Sequence, residues 1–342
     1  MTVHAASIRD VAAILGELRR SGASASGEHA SPSVATLNLI AYVDDATHRD
    51  WVLDRAARLA DKHPSRMIVL DATKTDGGAD VATTSRGSDQ ATIVSQRVDL
   101  AVGGVEAPVV RSVVHDLSLA HTHTVLWWAS AAMDPATPLA ALGELASAVV
   151  VDSSGPGRGE GAIGDAVAFM HAHPRAIVRD MAYLRLAPWQ DMIAQFFDDP
   201  ALFEDIFSIE RLDVDAGSRA EALYLAGWLA SRLSWDVRDA RTFVSRTGRP
   251  IPFTLTQRGE PRRVLRVALT SADSTYTAEV SEDASVACLS IAGAKANREW
   301  CAPLQAVDIM SLVERATTAV GRDPIFDTTL PTVTALLASE AG

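Results

Sequence analysis

A chain of 342 residues that is 48% apolar and 22% charged carries enough hydrophobic material for two separate cores. Its net charge of −12 excludes a general nucleic-acid binder, which needs a basic face to displace counterions, and disfavours adsorption to anionic lipid. No run of about 18 apolar residues could span a bilayer, and no basic region followed by an apolar core opens the chain, so cytoplasm is the expected compartment.

In chain order, Ser7–Arg19 places Ile8, Val11, Ala12, Leu15 and Leu18 on one helical face, expected to dock on its own domain. The Ser/Gly/Ala/Pro-rich stretch Ser21–Ser33 reads as a flexible linker, so residues 1–33 form an N-terminal helix and linker. An N-terminal α/β domain over 34–152 follows. It opens with a strand at Val34–Val43 and a helix at Thr47–Asp61, where Thr47 and Asp50 are spaced as a capping box. Met67–Asp71 reads as a buried strand, residues 72–90 as a long loop, and the alternating Thr92–Ala101 as a half-buried strand. A helix at Val105–Ala120, a strand at Thr124–Ala129, a helix from Pro135 to about Ala148 and a strand at Val149–Asp152 complete it. Strands alternating with helices predict a layered α/β fold with a mostly parallel sheet.

The glycine-rich segment 153–161 reads as an interdomain linker. The C-terminal domain, 162–322, starts helical over Ala162–Ala172, over the Asp180–Phe197 region and over Ser218–Trp235, with Ser218 and Glu221 spaced as a capping box. The last of these helices is apolar on nearly every face and should be covered on all sides. A strand at Ile209–Val214 lies between them, and Pro252–Gln257, Val264–Thr270, Thr275–Val280 and Val286–Ile291 predict an antiparallel meander. A helix at Ala306–Val320 closes an α+β domain, and residues 323–342 are left as a C-terminal tail.

The chemistry-bearing candidates are few. The glycines over 155–164 lack the Lys-Ser/Thr pair and the spacing of a phosphate loop, which favours a linker. His121 with His123, and His171 with His173, could supply a four-imidazole shell, the basis of an alternative reading as a metal-dependent or sugar-phosphate-binding enzyme. No Gly-x-Ser-x-Gly elbow occurs, and the adjacent pairs Asp44/Asp45 and Asp198/Asp199 do not make an acid–base couple, because neighbouring side chains point apart. Cys288 and Cys301 have no zinc spacing; Cys288 sits in an apolar run and reads as buried and inert, with a redox pair as the other option. Arg241, Arg246, Arg249, Arg258, Arg262, Arg263 and Arg266 form a basic window that reads either as a solvated hairpin edge or as a surface for an acidic partner or phosphate. Trp127, Trp128, Trp189, Trp228 and Trp235, with Arg185 and Arg232, are residue types shared by cores and interface hot spots. Neither a catalytic residue nor a cofactor- or metal-binding set is assigned.

Four segments, His63-Pro-Ser-Arg-Met-Ile-Val-Leu70, Val125-Leu-Trp-Trp128, Asp180–Gln190 and Gly227–Trp235, stand in the order and spacing of the glucose-6-phosphate dehydrogenase assembly protein family, OpcA, which the chain resembles over roughly residues 34–320. The pattern Asp-x-Ala-aromatic-x-Arg-Leu-x-Pro-Trp carries most of the likeness; family members have Thr and Arg where this chain has Ala187 and Gln190, and a proline-rich segment where it reads Leu119–Thr124. The resemblance implies a non-catalytic protein without a cofactor. It would promote assembly of glucose-6-phosphate dehydrogenase and activate it allosterically, feeding NADPH production through the oxidative pentose phosphate pathway. The motif residues that it and the Trp/Arg group mark as partner-contact candidates are Arg66, Trp127, Trp128, Asp180, Arg185, Pro188, Trp189, Trp228, Arg232 and Trp235.

Overall fold

The computed structural model describes residues 2–26, 36–88, 91–133, 137–155, 157, 161–259, 263–281, 286–304, 307–319 and 321–340. The chain divides into two compact units, one comprising Met1–Asp152, Ala168–Arg179 and Val313–Ala319, the other Ser153–Val167, Asp180–Leu312 and Val320–Gly342. The class is mixed α/β, with one eight-stranded sheet in each unit's element set.

The N-terminal elements are β1 (Thr2–Ser7), α1 (Val11–Ser26), β2 (Leu37–Val43), α2 (Ala46–Lys62), β3 (Ser65–Asp71), β4 (Gly78–Ser88), β5 (Ala91–Ala101), α3 (Ala107–Leu117), β6 (His123–Trp128), α4 (Leu139–Gly143), β7 (Ala148–Val151), α5 (Ala162–Ala172) and β8 (Ile177–Asp180). The sheet order is β1-β4-β5-β3-β2-β6-β7-β8. Strands β5, β3, β2, β6 and β7 run parallel, while β4 joins β5 and β1 joins β4 antiparallel. All seven residues of β2 are buried, as expected of a strand covered on both faces of a parallel sheet.

Several details correct the sequence reading. The helix α1 starts at Val11 and buries Ile14 and Leu18, one turn apart, whereas Ala12 faces solvent. Asp45, not Thr47, caps α2, accepting from the Thr47 amide at 2.8 Å. The expected loop over 72–90 contains β4, whose polar residues hold a strand because both neighbours supply ladder bonds. Residues 27–33 of the expected N-terminal linker, residues 34 and 35 of the expected first strand, and residues 156 and 158–160 of the glycine-rich segment lie outside the described residues. Within the first unit, the Arg179 guanidinium donates to the carbonyls of Ala316 (3.0 Å) and Ala319 (2.6 Å). Burial lowers its pKa, yet those acceptors favour the charge. Glu314 joins the same unit through Lys62 (2.6 Å) and His63 (3.0 Å); their hydrogen bonds, Lys62 first, hold its carboxyl below the usual range.

The C-terminal elements are α6 (Met181–Leu184), α7 (Ala187–Gln195), a 3₁₀ turn (Phe203–Ser208), β9 (Ile209–Ala216), α8 (Arg219–Leu233), β10 (Asp236–Asp239), β11 (Thr242–Val244), β12 (Pro250–Gln257), β13 (Val264–Ser271), β14 (Ser274–Val280), β15 (Val286–Gly293), β16 (Asn297–Pro303), α9 (Ile309–Thr318) and α10 (Pro324–Glu340). The sheet order is β10-β11-β12-β9-β13-β14-β15-β16. Strand β9 sits centrally, parallel to β12 and antiparallel to β13, and the run β13 to β16 is the meander. Ser218 caps α8, accepting from the Glu221 amide at 3.4 Å, and Ser234 ends it in the left-handed conformation at φ 55°. Residues 222–227 of α8 are all buried, because α10 covers what the sheet does not. The expected C-terminal tail is thus a helix that packs on α8. Strands β10, β11 and β16 were not legible in the sequence, and α6 opens directly from a strand rather than from a longer helix. Among the described residues, no helix is long and apolar enough to cross a membrane.

Candidate functional site

The Asp180–Gln190 motif builds a buried polar cluster at the head of the second unit. Asp180, 1% exposed, caps α6 by accepting from the Ala182 amide at 2.9 Å. It also accepts from the Ser153 amide (3.0 Å), the Ser153 hydroxyl and the Tyr224 hydroxyl (2.8 Å). One turn further on, Arg185 donates to Ser154 Oγ (2.6 Å) and pairs with Glu221 (3.1 Å), while the Ser154 hydroxyl donates to Glu221 at 3.1 Å. The two serines that begin the glycine-rich segment are therefore fastened to α6 and α8. A carboxylate that accepts this many hydrogen bonds has its lone pairs committed to orienting its neighbours.

The aromatic half of the motif is packing. Trp189 is 6% exposed on α7, with Pro188 at the start of that helix, and Tyr183 lies 4.7 Å from the ring of Phe326. Burial, and then Asp323, raises the Tyr183 pKa. In the first unit, Trp127 and Trp128 are each 1% exposed. Trp128 stacks on Tyr42 at 4.1 Å and donates its indole N–H to the Ala132 carbonyl at 2.8 Å, and Trp127 meets Trp51 edge-on. Arg66 donates to the Leu117 carbonyl (3.0 Å) and to Gln96 (2.5 Å), and burial lowers its pKa. Trp235 is buried against Phe243, Trp228 is half-buried and Arg232 is exposed. The structure brings Asp180 and Arg185 into one cluster and keeps Arg66, Trp127 and Trp128 in the other unit. Within this chain Trp127, Trp128, Asp180, Trp189 and Trp235 are buried, and the Arg185 side chain is 10% exposed. Sequence reasoning had noted Glu221 only as a cap and missed Ser153, Ser154 and Tyr224, whose residue types alone carry no signal of pairing with a distant acid.

The other candidates separate. The four histidines do not assemble: the one group of three or more ligating side chains that come together among the described residues is Cys288, Glu299 and Cys301. His123 bonds the Ser147 hydroxyl at 2.7 Å, and burial, then Arg179, lowers its pKa; His173 stacks on Phe169 at 4.3 Å; His121 and His171 are exposed. Cys288 is half-buried rather than buried, and it forms a disulfide with Cys301, its direct cross-strand neighbour on β15 and β16. In the basic window, Arg249 pairs with Glu210 (2.8 Å), Arg258 with Asp215 (2.6 Å) and Arg266 with Glu279 (3.9 Å). Arg241 and Arg246 are exposed, and Arg262 lies outside the described residues. Asp44 accepts from Ser130 at 2.6 Å, and Asp45 is held at about 2 by hydrogen bonds from Thr47 and then His48.

Residues 56–166 match the family model for the glucose-6-phosphate dehydrogenase subunit N-terminal domain, and residues 176–330 that for its C-terminal domain. The chain belongs to the glucose-6-phosphate dehydrogenase assembly protein (OpcA) family. Among OpcA relatives, it is similar to the OxPP cycle protein OpcA of Synechocystis sp., at 42% identity over 64 residues, covering 18% of this chain and 13% of the relative. It is likewise similar to the OxPP cycle protein OpcA of Synechococcus elongatus, at 38% identity over 60 residues, covering 17% of this chain and 14% of the relative. These matches thus span about one seventh or less of those OpcA relatives' own lengths. Among solved structures, the biliverdin reductase of Synechocystis sp. aligns over 90% of this chain and 99% of its own, at 8% identity and a TM-score of 0.47. A myo-inositol dehydrogenase of Corynebacterium glutamicum aligns over 90% and 96%, at 8% identity and a TM-score of 0.46. At that likeness no activity transfers to this chain.

Proposed function

We propose that this protein is a non-catalytic assembly factor and allosteric activator of glucose-6-phosphate dehydrogenase, supporting NADPH production through the oxidative pentose phosphate pathway in the cytoplasm. The observation that carries the reading is the match to both domain models of one dehydrogenase-subunit family, in order, over residues 56–166 and 176–330. The chemistry of the second unit supports it: the motif's acid and arginine are spent on holding helices in place, which suits a rigid binding body. An activator must bind one enzyme conformation better than another. A difference of about 2 kcal/mol would change substrate affinity roughly thirtyfold.

The test mixes the purified chain with purified glucose-6-phosphate dehydrogenase of the same source and follows NADPH absorbance as glucose 6-phosphate is varied. The expected result is a lower KM or a higher kcat, with co-elution of the two proteins. Unchanged kinetics together with separate elution would reject the reading; co-elution with unchanged kinetics would reduce it to assembly alone.

A further inference from the structure

Four large hydrophobic side chains are exposed among the described residues: Phe203, Phe207, Val307 and Ile325. Isolated cases need no explanation. Phe203 and Phe207 are different, because they are 50% and 61% exposed, stand on one 3₁₀ turn, and meet each other edge-on at 5.8 Å.

That turn is anchored from beneath. Asp205, between the two rings in sequence, is 5% exposed and accepts from the Tyr276 hydroxyl (2.6 Å) and from Lys295. The Asp199 carbonyl accepts from the amides of Leu202 (2.9 Å) and Phe203 (3.1 Å), and the Ser208 hydroxyl donates to the Asp205 carbonyl at 2.9 Å. The rings are therefore presented on a fixed backbone, which lowers the ordering entropy lost on association. An aromatic side chain buries on the order of 150–250 Å² when fully covered, so two half-exposed rings offer roughly 200 Å² of apolar surface to a partner.

The neighbouring turn supplies charge. Arg249 reaches the Phe207 and Ile209 carbonyls and Glu210, and its amide closes the turn by donating to Ser245 Oγ at 3.1 Å. In the same turn Arg246 is exposed, with no ion-pair partner among the described residues. The segment 236–249 holds four arginines against two aspartates, but Arg249 is paired with Glu210 and Glu204 is exposed between the two rings in sequence, so Arg246 is a single cation on the adjoining turn. An exposed aromatic pair with an exposed arginine on the adjoining turn matches the composition of interface hot spots, and that guanidinium can take one acidic side chain of a partner.

We propose that Phe203, Phe207 and Arg246 form the surface by which the second unit docks on a protein partner, inserting the two rings into an apolar pocket and pairing Arg246 with one acidic side chain at its edge. The partner is the dehydrogenase subunit, a choice that rests on the assembly reading above.

The experiment uses the full chain and two variants, Phe203→Ser/Phe207→Ser and Arg246→Glu. Each is titrated against purified glucose-6-phosphate dehydrogenase by biolayer interferometry at low and high salt, with thermal melting and light scattering of the chain alone. The expected result is a loss of affinity of about 100-fold or more for the double variant. For Arg246→Glu, association slows by about tenfold at low salt and approaches wild type at high salt. Melting temperatures stay at the wild-type value, since the substituted side chains are exposed. If wild type and both variants bind alike, the docking surface is overturned while the assembly reading stands. If wild type does not bind at all, both fall. If the double variant keeps its enzyme affinity but lowers the mass of the chain alone, the patch joins two copies of this chain and the proposal is overturned.

Discussion

Arg185 Nη1 lies 3.1 Å from Glu221 Oε1, with the two side chains 10% and 2% exposed, so a residue on the link between α6 and α7 is tied to the first turn of α8. Two charges taken out of water support a fold only while both remain. Glu221→Ala should destabilise the second unit by about 3–5 kcal/mol, because it removes one carboxylate from a largely covered guanidinium. The paired change Arg185→Met/Glu221→Leu should recover most of that loss. Urea denaturation followed by tryptophan fluorescence measures both; equal stability of the single variant and wild type would contradict the arrangement.

A side chain at Gly227 has nowhere to go. Its Cβ would overlap the Cγ2 of Val333 on α10 and sit 3.4 Å from that of Thr329. The β-branched Val333 cannot rotate away cheaply within a helix. Gly227→Ala is expected to cost about 1–3 kcal/mol through overpacking. Adding Val333→Ala should restore part of it, and non-additivity in a thermal-melt cycle is the readout.

Asp205 gives the second unit an acid dependence of known sign. Burial pushes its carboxyl up, but hydrogen bonds from Lys295 and then Tyr276 outweigh that and leave it below the usual value of 3.8. A carboxylate depressed in the folded state stabilises fully above its unfolded pKa, and that share is lost as pH falls through the folded one. Lys295→Met should thus be less stable than wild type at pH 7, and the gap should be smaller at about pH 3. Denaturation midpoints at both pH values decide it; a gap that widens in acid would refute the sign.

The Cys288–Cys301 disulfide spans a sequence separation of 13 residues across the outer two strands of the meander. Closing a loop of that size lowers the entropy of the unfolded chain by an amount worth about 3 kcal/mol. Reduction with a thiol, or Cys288→Ser with Cys301→Ser, should lower stability by up to that much. Amide exchange should rise over β15 and β16 and stay unchanged in β9. Exchange that rises uniformly would show that the bond acts on the whole unit.

The strands around β9 and the meander were readable because half their residues face a core, so apolar and polar side chains alternate. The Ser218 cap and the burial of α8 on nearly all sides were readable for the same local reason. Strand β4 was not, because its stability comes from ladder bonds to β1 and β5 and not from its own polar residues. Strand β16 is almost wholly exposed and carries no alternation. The motif at 180–190 drew notice through its aromatics and its arginine, but spacing cannot say whether a tryptophan meets a partner or a neighbouring helix. Here the deciding contacts come from Ser153 and Tyr224, 27 and 44 residues away from Asp180. The cysteine pair stayed the second of two options for a related reason: only the cross-strand register sets Cys288 opposite Cys301.

The grip of Arg179 on the carbonyls of Ala316 and Ala319 bears on any attempt to dissect the molecule. Residues 168–179 and 313–319 fold with the N-terminal body although they follow the glycine-rich segment. Severing the polypeptide at 153–161 would leave a fragment 1–152 without its outermost strand β8 and without the helical turn that Arg179 holds. Such a piece should aggregate when expressed alone. Co-expression with the remainder, rather than purification of separate halves, is then the route to a functional split protein.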